Sequence, residues 1–313
     1  MDYSGFDTAP RRILIHDPLD GEALSALRAE HLRQHNFLDL PTTERFFTQY
    51  SSFRTELAHQ AELQTLEMLL GRTPEYLREA STNPNLMFTR DSSITLPWAP
   101  DLFVPARLKL AGRAGEPSLV ARALMELGIS SIFEFGDDEY CEGGDVLPVM
   151  DAGRRILLVG FGVRTTKVGA IRLALELIPT YADWIIGLSH DPDLLHLDAG
   201  FTVLPNRVIF AASGMFHAGF LIDECRRLNR IDPIAFAKEL GFTVLTCDKI
   251  GVIRNERCNM LPLGRGRYVA FSMPAAVRAE LEEKAGIAIT ILDGDEISKA
   301  SGGVNCLTRP IYQ

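Results

Sequence analysis

The chain has 313 residues, 46% of them hydrophobic and 23% charged, the proportions of a globular protein with ample core-forming residues. Its formal net charge of -9 argues against nucleic acid or anionic membrane as a partner, since both call for a basic face. No apolar run reaches the roughly eighteen residues of a membrane span, and the acidic opening Met1-Asp2-Tyr3-Ser4-Gly5-Phe6-Asp7 does not read as an export signal.

In chain order, Ile13-Leu14-Ile15 reads as a first strand between Pro10 and the turn Asp17-Pro18, followed by a short helix over 23–33. Residues 44–70 place Leu57, Ala61, Leu66, Leu69 and Leu70 on one helical face, so a long amphipathic helix is expected, stopped by Gly71. A turn over 83–91 leads into a strand at 93–96, then a helix at 117–127 and strands at 131–135 and 155–160. A helix follows at 166–177. Strands at 183–188, 200–204 and 208–212 are marked by β-branched and aromatic residues. A helical stretch is expected over 220–240, then strands at 242–246, 260–263 and 268–271, a helix at 274–285 and a strand at 287–292.

No Gly/Ser-rich linker or charge run divides these elements, so residues 1–313 are expected to form one α/β domain. A doubly wound parallel sheet is the default for such alternation. The tight turns at Asp151-Ala152-Gly153, Pro205-Asn206 and Gly264-Arg265-Gly266 instead imply antiparallel hairpins, which a purely parallel sheet would not contain. No phosphate-binding loop or dinucleotide fingerprint follows any strand. The five cysteines (Cys141, Cys225, Cys247, Cys258, Cys306) are scattered and never spaced Cys-x-x-Cys. That argues against a disulfide framework or zinc knuckle and makes a reducing cytosol the natural setting.

Four clusters carry potential chemistry. Ser301-Gly302-Gly303-Val304-Asn305-Cys306 puts one cysteine after a glycine pair, where the backbone can turn sharply and approach a ligand. Alone, Cys306 would be a buried structural cysteine and the other four are read as such. His196-Leu197-Asp198, if extended, points His196 and Asp198 to one face and Leu197 into the core, a proton carrier beside a cation binder. Cys141-Glu142-Gly143-Gly144-Asp145 sets two acids around a tight backbone, although Asp137, Asp138 and Glu139 beside it make an ordinary acidic turn the plainer reading. Asp91, after Phe88-Thr89-Arg90, heads a strand. Carboxylates converging in one cleft raise each other's pKa unless a cation sits among them. A planar guanidinium, with its fork of N–H donors, is the cation that several carboxylates grip together. A cysteine and a histidine beside it would allow attack at the guanidinium carbon, departure of an amine and hydrolysis of the thiouronium.

These segments resemble those of the guanidino-group-modifying superfamily, which comprises arginine deiminases, amidinotransferases and dimethylarginine dimethylaminohydrolases. The resemblance rests on Asn85-Leu86-Met87-Phe88-Thr89-Arg90-Asp91, Glu142-Gly143-Gly144-Asp145-Val146, His196-Leu197-Asp198-Ala199-Gly200-Phe201-Thr202 and Gly302-Gly303-Val304-Asn305-Cys306, in family order from 85 to 306. It implies an α/β-propeller of pseudo-five-fold symmetry, built from units of three strands and a helix, which accounts for the hairpins. It further implies Cys306 as nucleophile, His196 as general acid and then base, and Glu142 orienting His196. Asp91 and Asp198 would clamp the guanidinium, and Asn85 and Phe88 would contact the substrate. Pro105-Ala106-Arg107 and Gly162-Val163-Arg164-Thr165 resemble segments whose arginines grip the substrate α-carboxylate, which gives that role to Arg107 and Arg164. No metal or organic cofactor is indicated, the partner is a small guanidino compound, and a homo-oligomer is compatible with the sequence.

Asn305 departs from the arginine that usually precedes the cysteine in deiminases. The chain is also shorter than typical deiminases and nearer in size to dimethylarginine hydrolases. Those usually lack an acid at the position of Asp198, so its presence favours an unsubstituted guanidinium. The expectation is conversion of arginine, or a close free amino-acid relative, to citrulline and ammonia. An amidinotransferase, a dimethylarginine hydrolase and a non-catalytic arginine-binding protein are the alternatives.

Overall fold

The computed structural model describes residues 8–18, 22–255 and 257–313. The opening segment 1–7, which bears on the export-signal reading, lies outside the described residues. Among the described residues the strands form five sheets.

One local pattern generates all five. β1 (Arg12–Ile15) runs into the helix Thr43–Gln60 and returns as β2 (Glu62–Thr65), parallel to β1. β3 (Ser93–Leu96) and β4 (Ala99–Pro105) form an antiparallel hairpin, and the helix Glu116–Glu126 carries the chain to β5 (Ser130–Ser131), parallel to β4. β6 (Val146–Asp151) and β7 (Arg154–Phe161) repeat the hairpin, and the helix Lys167–Leu177 leads to β8 (Trp184–His190), parallel to β7. The fourth unit is the hairpin of β9 (Phe201–Leu204) and β10 (Val208–Ala212). Before its helix, β11 (Phe216–Ile222) and β12 (Leu228–Ile231) extend the third sheet through antiparallel pairing of β11 with β8. The helix Pro233–Glu239 then delivers β13 (Thr243–Cys247) parallel to β10. β14 (Leu261–Gly264), β15 (Arg267–Ala270), the helix Ala275–Ala285 and β16 (Ala288–Ile291) complete the fifth. Finally β17 (Arg309–Ile311) pairs antiparallel with β1, so the first unit is assembled from both ends of the described chain.

The physics of each unit is the same. A hairpin needs only a tight turn, whereas a parallel partner needs a crossover, which the helix supplies. The expected hairpin turns occur with left-handed residues: Ala152 and Gly153 at φ 49 and 76, Asn206 and Arg207 at 57 and 55, and Gly264, Arg265 and Gly266 at 78, 55 and 70. The positive φ pair matches the twist of the flanking strands. This architecture is the α/β-propeller expected above, not a doubly wound sheet.

Several local expectations change. The helix over 44–70 breaks after Gln60, because Glu62–Thr65 pairs with β1, a partner far upstream that no local periodicity reports. Thr65 then caps a second short helix by accepting from the Met68 N–H at 3.1 Å, and Gly71 ends it at φ 64, as expected. The stretch 220–240 is helical only from Pro233, where Asp232 accepts from the Ile234 and Ala235 N–H groups at 3.0 and 2.9 Å. Its first part is strand, recruited by β8. The helix at 23–33 is split into short pieces, and the strand at 131–135 shrinks to Ser130–Ser131.

The helix Lys167–Leu177 buries Leu173 completely against the hairpin strands, while Leu175 on its outer side is 44% exposed. Leu173→Ala is expected to cost about 2–5 kcal/mol and Leu175→Ala less than about 0.5 kcal/mol. Urea midpoints of the two variants would check this, since both substitutions carry the same change in helix propensity.

Candidate active site

The site lies where the segments before β3, β6 and β9 meet the turn before β17. Glu142 is buried at the head of β6. Its Oε2 is 2.7 Å from His196 Nε2 and 3.4 Å from Arg164 Nη1, while its Oε1 accepts the Lys109 N–H at 2.9 Å. His196 Nδ1 faces Asp91 Oδ1 at 3.6 Å, so the imidazole lies between two carboxylates. Gly144 makes this packing attainable: a Cβ there would come within 2.9 Å of the His196 ring and 2.8 Å of Asp91 Oδ1.

His196 keeps extended backbone angles, but Leu197–Gly200 is a helical turn rather than the extended run expected for His196-Leu197-Asp198. Asp145 Oδ1 accepts the Leu197 N–H at 2.8 Å and pins the start of this turn. Leu197 is fully buried, as expected. Asp198 emerges beside the cysteine, its carboxylate oxygens 3.6 and 3.8 Å from Cys306 Sγ.

Cys306 is 5% exposed and packs partly among apolar groups that include Phe88 and Val304. Its sulfur nevertheless meets polar atoms, since Asn259 Nδ2 lies 3.0 Å away. Asn305, the departure noted in the sequence, donates from Nδ2 to Asp198 Oδ2 at 2.8 Å and accepts from Arg90 Nη2 at 2.5 Å. Cys306 and His196 line one small cavity together with Asn85, Phe88, Asp91, Arg113 and Arg164. That cavity holds about 10 Å³, room for about one water. A neighbouring hollow of about 300 Å³ shares Asn36, Leu195 and Ser301 with it and leads outward.

The electrostatics follow from burial and pairing. Burial alone would push His196 down, but Asp91, Glu142 and Asp145 overcome it and raise the imidazole to about 9. Burial favours the neutral form of Glu142, yet His196, Arg164 and Arg113 bring its carboxyl down to about 2. Asp198 goes the other way, to about 6, because burial and the Asp91 charge outweigh His196, Arg90 and Asn305. The site at neutral pH therefore holds an imidazolium clamped to a carboxylate.

Asp91, Glu142 and His196 present donor atoms within 4.8 Å of one another, a spacing compatible with a metal ion. Glu142 Oε2 already receives His196 and Arg164, and Asp91 Oδ2 receives Arg113. The donor set suits an organic cation better.

Of the residues singled out from sequence, Cys306, His196, Glu142, Asp91, Asp198, Asn85, Phe88 and Arg164 come together here. Asn85 meets His35 by both ends of its amide, Nδ2 to the carbonyl at 3.0 Å and Oδ1 to Nδ1 at 3.2 Å. Arg107 is the exception. Its backbone is held in a bridge with Cys141, and its side chain turns outward to Asp137 at 2.9 Å and over the Tyr140 ring, lining a different hollow. The carboxylate-gripping place expected for Arg107 is thus not where that side chain lies. Arg113 lines the cavity instead, 1% exposed, donating to Asp91 Oδ2 at 2.8 Å and to both Glu116 oxygens at 2.7 Å. Sequence reasoning missed it. The only available signal was the Arg113/Glu116 spacing at a helix start, which is equally that of a surface pair.

A family model described as arginine deiminase matches residues 19–231. Curated arginine deiminases of Mycobacterium avium and Mycobacterium marinum are 28% and 29% identical over 250 residues, covering 73% of this chain and 60% of theirs. The chain thus spans about three-fifths of the length of these relatives. Among solved structures, the N-terminal domain of ArgZ, an arginine dihydrolase from cyanobacteria, superposes with a TM-score of 0.73 at 20% identity, covering 96% of this chain and 97% of that one. A dimethylarginine dimethylaminohydrolase adduct superposes with a TM-score of 0.67 at 15% identity over 96% and 98% of the two chains, so these neighbours speak for a shared fold. With the family model covering most of its length, this chain belongs to the arginine deiminase family.

Proposed function

We propose that this protein hydrolyses the guanidinium group of arginine, or of a close free amino-acid relative, to the ureido product and ammonia, with Cys306 as nucleophile. The observation that carries the reading is the approach of Cys306 Sγ to Asp198 at 3.6 Å, with Cys306 and the Glu142-paired His196 lining one cavity. Family membership supports it.

In this reading Asp91 and Asp198 hold the guanidinium nitrogens. Asp91 Oδ1 is buried without a hydrogen-bond partner, a place for a substrate N–H. The Cys306 thiolate forms a bond to the guanidinium carbon, and the C=N electron pair moves onto nitrogen. The His196 imidazolium gives its proton to the departing nitrogen, which leaves as ammonia and leaves a thiouronium on sulfur. The now neutral His196 takes a proton from water as that water adds to the same carbon, and collapse returns the thiolate while the added hydroxyl gives its proton to solvent, releasing the neutral ureido product. Glu142 orients the imidazole and stabilises its charged form. Arg164, whose Nη2 is buried without a partner, receives the α-carboxylate beside Arg113. Arginine is larger than the 10 Å³ cavity, and Asn36, Leu195 and Ser301 lie between it and the neighbouring hollow.

The first outcome concerns turnover itself. Cys306→Ser should lower turnover on the order of 10³-fold or more while arginine still binds, as read by calorimetry; undiminished turnover would remove the nucleophile assigned here. Wild-type protein with arginine alone should release citrulline and ammonia in equal amounts. Silence until an acceptor amine is added would make it a transferase, and ammonia in excess would indicate a second hydrolysis.

The second outcome is a pH profile. Asp198 must be ionised to clamp the cation and titrates at about 6, whereas His196 must be protonated to release the amine and titrates at about 9. A bell in kcat/KM is therefore expected, falling below about 6 and above about 9. An optimum below pH 5 would contradict both assignments.

The third concerns substrate choice. Arg164→Ala should weaken kcat/KM for arginine by about 10- to 100-fold relative to agmatine, which lacks the carboxylate. An unchanged arginine-to-agmatine ratio would take that role from Arg164.

A further inference from the structure

We propose that Asn259 is a catalytic residue of this site: its side-chain amide is the hydrogen-bond donor that holds the Cys306 sulfur as a thiolate and aims it at the cavity. The inference rests on the reading of Cys306 as nucleophile and adds a second group at the reacting atom.

The geometry leaves little freedom in how Asn259 is oriented. Its Oδ1 lies 2.8 Å from the backbone N of Asn305, which can only donate. The oxygen is thereby assigned, and the NH2 end must face the sulfur 3.0 Å away. The same NH2 group lies 3.4 Å from the Asp198 carbonyl, so its two hydrogens serve the sulfur and the turn that carries Asp198. Asn259 is 1% exposed, so bulk solvent does not compete for its amide. Its backbone is anchored on both sides: the Cys258 carbonyl accepts the Thr202 hydroxyl, and Leu261 begins β14. Gly303 completes the fit, because a Cβ at that position would come within 2.5 Å of Asn259 Oδ1. One amide thus bridges the backbone just before Cys306 and the sulfur itself, which sets both position and direction.

The chemistry calls for such a donor. The carboxylate of Asp198 lies 3.6 Å from the sulfur and opposes a second negative charge beside it. Asp91 adds to this, while His196, Arg113 and Arg164 across the cavity and Arg90 beneath Asn305 oppose it. A neutral N–H donor stabilises a thiolate without adding a formal charge that would repel the guanidinium. After S–C bond formation the sulfur is a much weaker acceptor, and on collapse of the second adduct the same N–H receives the returning thiolate. The donor therefore raises the fraction of enzyme carrying thiolate and, more weakly, tempers the nucleophilicity of that thiolate.

The test compares wild type with Asn259→Ala and the near-isosteric Asn259→Asp. Carbamidomethylation of Cys306 by iodoacetamide, located by peptide mapping, is followed from pH 6 to 10. Asn259→Ala should move the inflection upward by about one pH unit, with a rate about threefold lower below it and no lower on the high-pH plateau. Asn259→Asp should move it further, because a carboxylate replaces the donor, and it carries the test if the alanine variant does not fold. Unchanged profiles in a folded variant would overturn the proposal. So would a loss by the same factor at every pH, the mark of a merely loosened site. If wild type releases no citrulline from arginine, the substrate reading fails while the alkylation profiles still decide the role of Asn259. If wild type is active and the profiles do not move, only the Asn259 assignment falls.

Discussion

The antiparallel pairing of Arg309–Ile311 with Arg12–Ile15 is the constraint on which the site depends. It returns the C-terminal segment across the fold, so that the turn before it, with Asn305 and Cys306, is laid against the segment around Arg90 and Asp91. The Arg90 N–H reaches the Cys306 carbonyl at 3.2 Å, and Arg309 Nη2 donates to the Arg90 carbonyl. A cysteine so near the end of the described chain would fray with its terminus were that strand free. Tied in this way, the turn that carries the sulfur is anchored by the strand that follows it.

Around that sulfur the buried charges balance locally. Arg113 answers Asp91 and Glu116, Arg164 and His196 answer Glu142, and Arg90 answers Asp198 through Asn305. Unpaired burial of any one would be costly, and pairing them fixes which side chain carries a proton at neutral pH. Asp198 is the least compensated of the acids, which is why burial raises it where Glu142 is lowered. A carboxylate left wanting a cation, beside a cysteine, is the feature on which the proposed guanidinium site rests.

Much of this was legible in the residues. The Glu142-Gly143-Gly144 run, the His196-Leu197-Asp198 run and the glycine pair before Cys306 are local signatures, because each needs a particular backbone approach that only those residues permit. The tight turns announced antiparallel pairs, and the helices expected at 166–177 and 274–285 form at Lys167–Leu177 and Ala275–Ala285. What failed were elements decided by distant partners. Residues 62–65 became strand because β1 was waiting for them, and residues 216–222 did so because β8 offered an edge.

The same division runs through the site. The sequence by itself determined the chemistry available: one cysteine, an imidazole, a set of acids and a family pattern that orders them along the chain. Only the tertiary structure decided which arginines line the cavity, turning Arg107 out to Asp137 and burying Arg113 and Arg164 inside. It alone brought Asn259 to the sulfur. Side-chain direction depends on which sheet and turn carry each residue, and hydrogen bonds between segments many residues apart leave no mark on local patterning.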